Sequence, residues 1–307
     1  MSCYHPLSAY QCTDGSIVFD ETRKHDISRS LTLPCGQCIG CRLEKSRQWA
    51  MRCMHEAQLH DENCFITLTY NDESLNNNYS LQYEDFQSFM KNFRHHVFRK
   101  YGKKIRFYMA GEYGEKFGRP HWHACIFGFN FPDKVLLKKT PSGSYIYKSN
   151  DLEGLWPYGH SSIGDVTFES AAYVARYIMS KAVKSTMSPD EWKWVNTYSD
   201  LETGEIKERR PEFNKMSLKP GIGYEWYKKY TADVYPNDYV VIRGKKVKPP
   251  KFYDKKYKID YPYEYDELIY KRENSAKLHS EDNTPERLAV KEQVIRAKLQ
   301  KLKRSLT

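Results

Sequence analysis

The stretch GRPHWHACIFG, residues 118–128, sets His121 and His123 one residue apart. Along a strand successive side chains alternate between faces, so both imidazoles share one face and Trp122 takes the other. Just upstream runs KIRFYMAGEYG, residues 104–114. A four-residue loop over Glu115–Gly118 makes the two runs a β-hairpin. Gly114 then lies opposite Arg119, Glu112 opposite His121, and Ala110 opposite His123. Directly opposed residues share a face, so Glu112, His121 and His123 project together. Two imidazoles and one carboxylate suit a divalent cation with open coordination positions. A five-residue loop starting at Gly114 instead sets Gly111 opposite His121 and turns Glu112 to the wrong face. The plain alternative is two histidines on a solvated face.

A second set lies in FESAAYVARYIMSKAVK, residues 168–184. The spacing predicts a helix over 167–184 with Thr167 as its N-cap. Tyr173, Tyr177, Lys181 and Lys184 fall on one face; Ala171, Val174, Ala175, Ile178, Met179 and Ala182 cover the other. Beside a cation that polarises a phosphoryl oxygen, a phenol can attack phosphorus and form a phosphotyrosine. A lysine offsets the charge that develops there. The aryl phosphodiester conserves the free energy of the broken linkage, so the cut can be rejoined without ATP. The chemistry that fits is DNA strand nicking and transfer. Tyrosine pairs at this spacing also occur at 79/83, 235/239 and 253/257, so the other reading is two amphipathic tyrosines at a core rim.

A third set is CGQCIGC, with Cys35, Cys38 and Cys41 each two residues apart. Three thiolates at this spacing can wrap one zinc ion in a structural site, which needs a fourth ligand. Cys3, His5, Cys12 and Cys53 are available; Cys3 is favoured, because Cys53 falls within a helix where a buried cysteine is usual. The first three cysteines also fit the start of a ferredoxin run, but Lys45 stands in its fourth place and no proline follows. Three free thiols in a glycine-rich loop is the remaining reading.

The elements that must position these residues follow from pattern. Residues 1–42 read as irregular. LEKSRQWAMRCMHEAQLH (43–60) reads as a helix and CFITLTY (64–70) as a strand. YEDFQSFMKNFRHHVFRKYG (83–102) is a helix stopping at Gly102. Residues 132–164 read as a loop-rich insertion, and 220–230 as a turn and short helix. RGKKVKPPKFYDKKYK (243–258) holds eight Lys or Arg and one acid; it reads as a linker or extended arm adding salt-sensitive DNA affinity. A last helix starts with Thr284 as cap and Pro285 in its first turn. Leu288, Ile295, Leu299, Leu302 and Leu306 form a docking stripe on it. The expected organisation is a cysteine-rich segment with its helix over 1–60, a catalytic domain over 61–240, and a basic linker with a C-terminal helix over 241–307.

Composition points the same way. Among 307 residues there are 49 Lys and Arg against 39 Asp and Glu, a net charge of +10, and 25 tyrosines. A basic, aromatic-rich chain suits a polyanion, single-stranded nucleic acid first, by phosphate pairing and base stacking. No apolar run reaches the length of a membrane span and no signal peptide is evident, so the chain is expected to stay where it is made. Clustered cysteines in such a compartment suggest metal ligation before disulfides.

RPHWHA followed by YVARYIMSK resembles the His-hydrophobe-His (HUH) endonucleases, and more narrowly the replication initiators of microviruses of the gokushovirus type. CGQCIGCR, GEYG and KPGIG add to the likeness, which covers roughly residues 1–230. The resemblance implies an α+β fold: a palm with a central antiparallel sheet and flanking helices, the His-x-His strand at its centre and the tyrosine helix across it. FITLTYND (65–72) resembles the family's first motif, whose strand helps shape the DNA site. It also implies His121 and His123 as ligands for Mg²⁺ or Mn²⁺, Tyr173 and Tyr177 as nucleophiles, and Lys181 as their phosphate-binding neighbour. The third ligand varies in the superfamily, so Glu112 rests on the hairpin argument. The implied activity is a site-specific nick in single-stranded DNA at a replication origin in the cytoplasm of a bacterial host. The protein stays on the 5′ phosphate, host replication proteins extend the 3′ end, and a second cut and joining releases a circle. The competing readings are a single-tyrosine relaxase or transposase, and a non-catalytic single-stranded nucleic-acid-binding module.

Overall fold

The computed structural model describes residues 3–20, 26–75, 79–114, 118–180, 188–199 and 203–301. Strands β5 (Arg106–Tyr113) and β6 (Pro120–Phe127) form the expected hairpin. Glu112 pairs with His121 and Ala110 with His123. The Gly114 N–H donates to the Arg119 carbonyl at the mouth of the loop. The hairpin is part of a seven-stranded antiparallel sheet. From one edge its order is β12 (Phe213–Met216), β5, β6, β4 (Asn63–Tyr70), β9 (Gly159–Gly164), β8 (Tyr145–Lys148) and β7 (Val135–Lys139). The histidine strand is therefore interior, one place from the central strand β4. Between β9 and β12 the chain also forms a short helix α5 (Pro189–Val195) and a small ladder of β10 (Thr197–Ser199) with β11 (Ile206–Glu208).

The alternation along β4, β5 and β6 sends two residue sets to opposite faces. Ile66, Leu68, Met109, Trp122, Ala124 and Ile126 face a core closed by helix α2 (Tyr83–Tyr101), which buries Phe86, Phe89, Met90, Phe93 and Val97. Helix α2 stops where expected, at Gly102, whose φ of 66° is left-handed and whose N–H caps the Phe98 carbonyl. Gly111 is fixed by packing on this face: a Cβ there would lie 2.4 Å from a ring carbon of Trp122. On the other face Phe65, Tyr108, Ala110, Cys125 and Phe127 pack with helices α1 (Ile39–Ala57) and α4 (Phe168–Ser180).

Helix α4 begins as the sequence suggests. Thr167 Oγ1 accepts from the Ser170 N–H at 3.1 Å, and Ser170 Oγ accepts from the Thr167 N–H at 2.8 Å. These reciprocal bonds satisfy two of the free donors at the helix start. Ala171, Val174 and Ala175 are buried against the sheet. The side chains of Ile178 and Met179, and the whole of Ala182, lie outside the described residues.

Four expectations are corrected. Residues 132–164 are not a loop-rich insertion: they supply β7, β8, β9 and the short helix α3 (Asn150–Leu155). Their strands sit toward one sheet edge, where Val135, Leu136 and Leu137 stay exposed, so no buried face marked them. Residues 243–258 are not an extended arm. Strands β13 (Val240–Ile242) and β14 (Lys245–Val247) make a hairpin, and Lys251–Asp260 is helix α7. Tyr253 and Tyr257, one turn apart, anchor α7 among Trp226, Tyr227 and Tyr235. Residues 1–42 are not irregular either, since β1 (Leu7–Cys12) pairs with both β2 (Ile17–Val18) and β3 (Ile27–Leu33). Lastly, the compact units do not break at residues 60 and 240. One comprises Met1–Lys45 with Pro262–Arg304, the other Ser46–Tyr261. Within the first unit, helices α8 (Pro262–Leu278) and α9 (Pro285–Lys301) return to the N-terminal segment through Arg29–Glu273 at 2.9 Å and His5–Glu292 at 2.7 Å. Such pairing across the length of the chain leaves no local trace. Helix α6 (Tyr224–Val234) and the Thr284–Pro285 start of α9 match expectation. Of the stripe on α9, Leu288 is buried, and Leu302 and Leu306 lie outside the described residues.

Within the second unit His55 of α1 is 2% exposed, stacked 3.6 Å from the Trp226 ring and hydrogen-bonded to the Tyr253 hydroxyl at 2.8 Å. Burial pushes its pKa down to about 3. The unfolded chain therefore takes up a proton near pH 6.5 that the folded chain refuses until about pH 3. This group's contribution to stability is complete above pH 6.5 and is lost as pH falls, at up to about 1.4 kcal/mol per pH unit. Urea unfolding between pH 6 and pH 4 should show a slope steeper by about 1 kcal/mol per unit in the wild type than in His55→Gln. Equal slopes would mean that the imidazole titrates normally in the fold.

Candidate functional site

Glu112, His121 and His123 come together at the end of the β5–β6 hairpin. One ligand atom from each lies within 4.8 Å of the other two. Glu112 Oε1 is 3.0 Å from His121 Nε2 and 2.6 Å from His123 Nε2. The Glu112 carboxylate is fully buried and the His123 side chain is 4% exposed, whereas that of His121 is 14% exposed and forms the open side of the group. Burial works against charge on Glu112, but the two imidazoles outweigh it and hold the carboxyl down at about 2, so it is anionic at neutral pH. Burial pushes His123 below the usual imidazole value, with Glu112 opposing.

The far side of each ring is also held. His121 Nδ1 is 3.1 Å from the Arg119 carbonyl, which can only accept, so that nitrogen carries the proton. A neutral His121 then presents a lone pair at Nε2 toward the carboxylate. His123 Nδ1 is 2.9 Å from Thr67 Oγ1 on β4, the residue paired with it across the sheet. The second oxygen, Glu112 Oε2, is buried without a hydrogen-bond partner, and His123 Nε2 is close to Oε1 but poorly aligned for a hydrogen bond. Lone pairs converging on an anionic, half-satisfied carboxylate suit a cation better than a closed hydrogen-bond network. The donor set therefore fits a divalent ion.

Helix α4 crosses this face. The Tyr173 hydroxyl donates to Glu112 Oε1 at 3.2 Å, and its ring meets His123 edge-on with centroids 5.2 Å apart. Tyr177 is one turn further along α4; its side chain, and the whole of Lys181 and Lys184, lie outside the described residues. Thr67 went unremarked in the sequence. The available signal was the alternation in FITLTY, which places Thr67 on one face of a strand otherwise built for burial.

The cysteine group is separate in the chain. Cys3, Cys35, Cys38 and Cys41 each bring a thiol within 4.8 Å of the others. Of the four possible fourth partners it is Cys3 that joins. His5 pairs with Glu292, Cys12 lies at the end of β1, and Cys53 is buried in α1 against the large sheet.

An interior His-x-His strand, a carboxylate from its hairpin partner and a tyrosine on the crossing helix are the parts that the resemblance implies. A family of replication-associated proteins, described by its ORF2 members, matches residues 63–182, which run from β4 into the end of the tyrosine helix. Replication-associated protein VP4 of Bdellovibrio phage phiMH2K is 33% identical over 277 residues, covering 88% of this chain and 82% of that protein. ORF4 of Chlamydia phage 1 is 30% identical over 240 residues, covering 76% and 56%. ORF2 of Spiroplasma virus 4 is 29% identical over 298 residues, covering 90% and 87%. Both are also replication-associated proteins by name. No solved structure matches. The chain belongs to the replication-associated proteins of microviruses.

Proposed function

We propose that this protein is a metal-dependent endonuclease and strand transferase of the HUH type. It nicks single-stranded origin DNA through a 5′-phosphotyrosine and rejoins the strand to release circles. The observation that carries the reading is the Tyr173 phenol, 3.2 Å from the Glu112 oxygen on which both imidazoles converge. His121, His123 and Glu112 would hold Mg²⁺ or Mn²⁺, which when bound polarises a phosphoryl oxygen. The chain's own groups do the rest. The hydrogen bond to Glu112 keeps the Tyr173 oxygen beside the site. That oxygen bonds to phosphorus as the bond from phosphorus to the 3′ oxygen breaks, and the 3′ oxygen leaves as a hydroxyl with the proton given up by the phenol. Lys181 offsets the added negative charge. The 3′ hydroxyl then primes synthesis by host replication proteins in the bacterial cytoplasm.

Single-stranded origin DNA incubated with and without Mg²⁺, followed by mass spectrometry of the DNA-linked peptide, tests this. Metal-dependent nicking with DNA on Tyr173 or Tyr177 is the expected result. Binding without cleavage would make the protein a single-stranded DNA-binding module. Linkage only ever to one tyrosine would favour the chemistry of a relaxase or transposase.

Thr67 acts at one remove. With Nε2 of His123 turned to the ion, Nδ1 carries the proton and donates it to Thr67 Oγ1. Removing such a ring-orienting partner typically weakens metal binding by about 10–100-fold. Thr67→Val should do so in calorimetric Mn²⁺ titrations while leaving the circular dichroism spectrum unchanged. Unaltered Mn²⁺ affinity would deny Thr67 the positioning role.

A further inference from the structure

We propose that Cys3, Cys35, Cys38 and Cys41 bind one zinc ion in a closed tetrahedral site that fastens the N-terminal segment to the start of α1. The sulfur separations carry the argument. Cys3–Cys35 is 3.6 Å, Cys3–Cys38 is 3.9 Å and Cys35–Cys41 is 4.0 Å. Four sulfurs each about 2.3 Å from a central zinc stand at tetrahedron edges of about 3.8 Å. The observed spacings straddle that value without any ion having shaped them. They are far too long for a disulfide, whose sulfurs are about 2.05 Å apart, and all four cysteines are free. An iron–sulfur cluster distributes its thiolates over different irons bridged by sulfide, which holds their sulfurs further apart than ligands of one ion.

The backbone is arranged for thiolates. N–H groups of Cys35, Tyr4 and Cys38 point at Cys3 Sγ (3.2 Å), Cys38 Sγ (3.3 Å) and Cys35 Sγ (3.3 Å) respectively. The Gln37 N–H adds a further bond to Cys35 Sγ at 3.5 Å. Gly36, with φ of 76°, lets the chain turn tightly between Cys35 and Cys38. Cys41 lies in the first turn of α1, whose positive dipole end favours thiolate and which carries no acidic residue there. Four cysteine ligands leave no open position, so the site is structural and not catalytic. Its ligands join the residue ahead of β1 to the turn between β3 and α1, closing the three-stranded sheet on itself. Binding requires all four thiols to release their protons, so affinity falls in acid.

The test uses the full chain, purified in Mg²⁺ buffer without added zinc. Elemental mass spectrometry should find one zinc per chain that survives dialysis. The double variant His121→Ala/His123→Ala should keep it, and Cys35→Ser/Cys38→Ser should lose it. After metal removal from the wild type, Co²⁺ should restore visible d–d bands and near-ultraviolet thiolate charge transfer of a tetrahedral complex. Because this last measurement needs no variant, a cysteine variant that does not fold leaves the question decidable. Four titratable thiols with no bound metal in the wild type, iron with acid-labile sulfide, or zinc lost with the histidines and kept without the cysteines would each overturn the assignment.

Discussion

Single-stranded DNA cleavage falls by roughly a thousandfold or more in His121→Ala and in His123→Ala, while affinity for the same DNA stays within a few-fold of wild type. This is the expected result if the two imidazoles hold the ion. Charge stabilisation at one phosphate by a bound metal contributes several kcal/mol to the transition state, and each 1.4 kcal/mol is tenfold in rate. Affinity has another origin: many Lys and Arg contacts to phosphates, drawn from a chain of net charge +10. The two readouts should therefore separate, with cleavage followed on gels and binding by anisotropy in EDTA. A double variant that cleaved at the wild-type rate would remove the metal-site reading. A parallel loss of binding and cleavage would point instead to damage of the sheet, since His123 is buried within it.

Tyr173→Phe and Tyr177→Phe should each still permit a single nick yet stop repeated release of circles, and the double variant should do neither. Opening a strand takes one nucleophile. Closing a circle takes a second cut while the first 5′ end is still covalently held. Tyr177 follows Tyr173 by one turn of α4, about 6 Å along its axis, so a modest shift brings either phenol to the same phosphate. The 3′ hydroxyl then attacks the first phosphotyrosine, and the enzyme remains on the new 5′ end with the tyrosines' roles exchanged. A multiple-turnover assay counting circles per enzyme separates this from single-tyrosine chemistry. If either single variant released circles at the wild-type rate over many rounds, alternation would be excluded.

How much was legible depended on how local each signal was. The hairpin register followed from loop length and the two-residue alternation, and the helix ends followed from Thr167, Gly102 and Pro285. Thr67 was out of reach because it meets His123 only through the pairing of β4 with β6, 56 residues apart. In Lys251–Asp260 the signal was present but masked: the spacing of Tyr253 and Tyr257 is helical, yet the adjacent prolines and dense charge made the segment read as extended. The choice of Cys3 needed the fold, because no spacing rule links it to a motif 32 residues away. The return of α8 and α9 to the N-terminal segment needed it for the same reason.

The alanines beneath the tyrosine helix set a clearance. Ala110 lies opposite His123, and Ala171 and Ala175 of α4 are 0–1% exposed over the sheet. Methyl groups let the helix ride low, and that height decides how far the Tyr173 oxygen stands from the carboxylate below. In a close-packed layer an added methylene has nowhere to go but into separation of the two surfaces. A displacement of about 1 Å can cost on the order of a hundredfold in rate. The gauge of this reaction is thus kept by three of the smallest side chains in the protein, none of which needs to touch DNA.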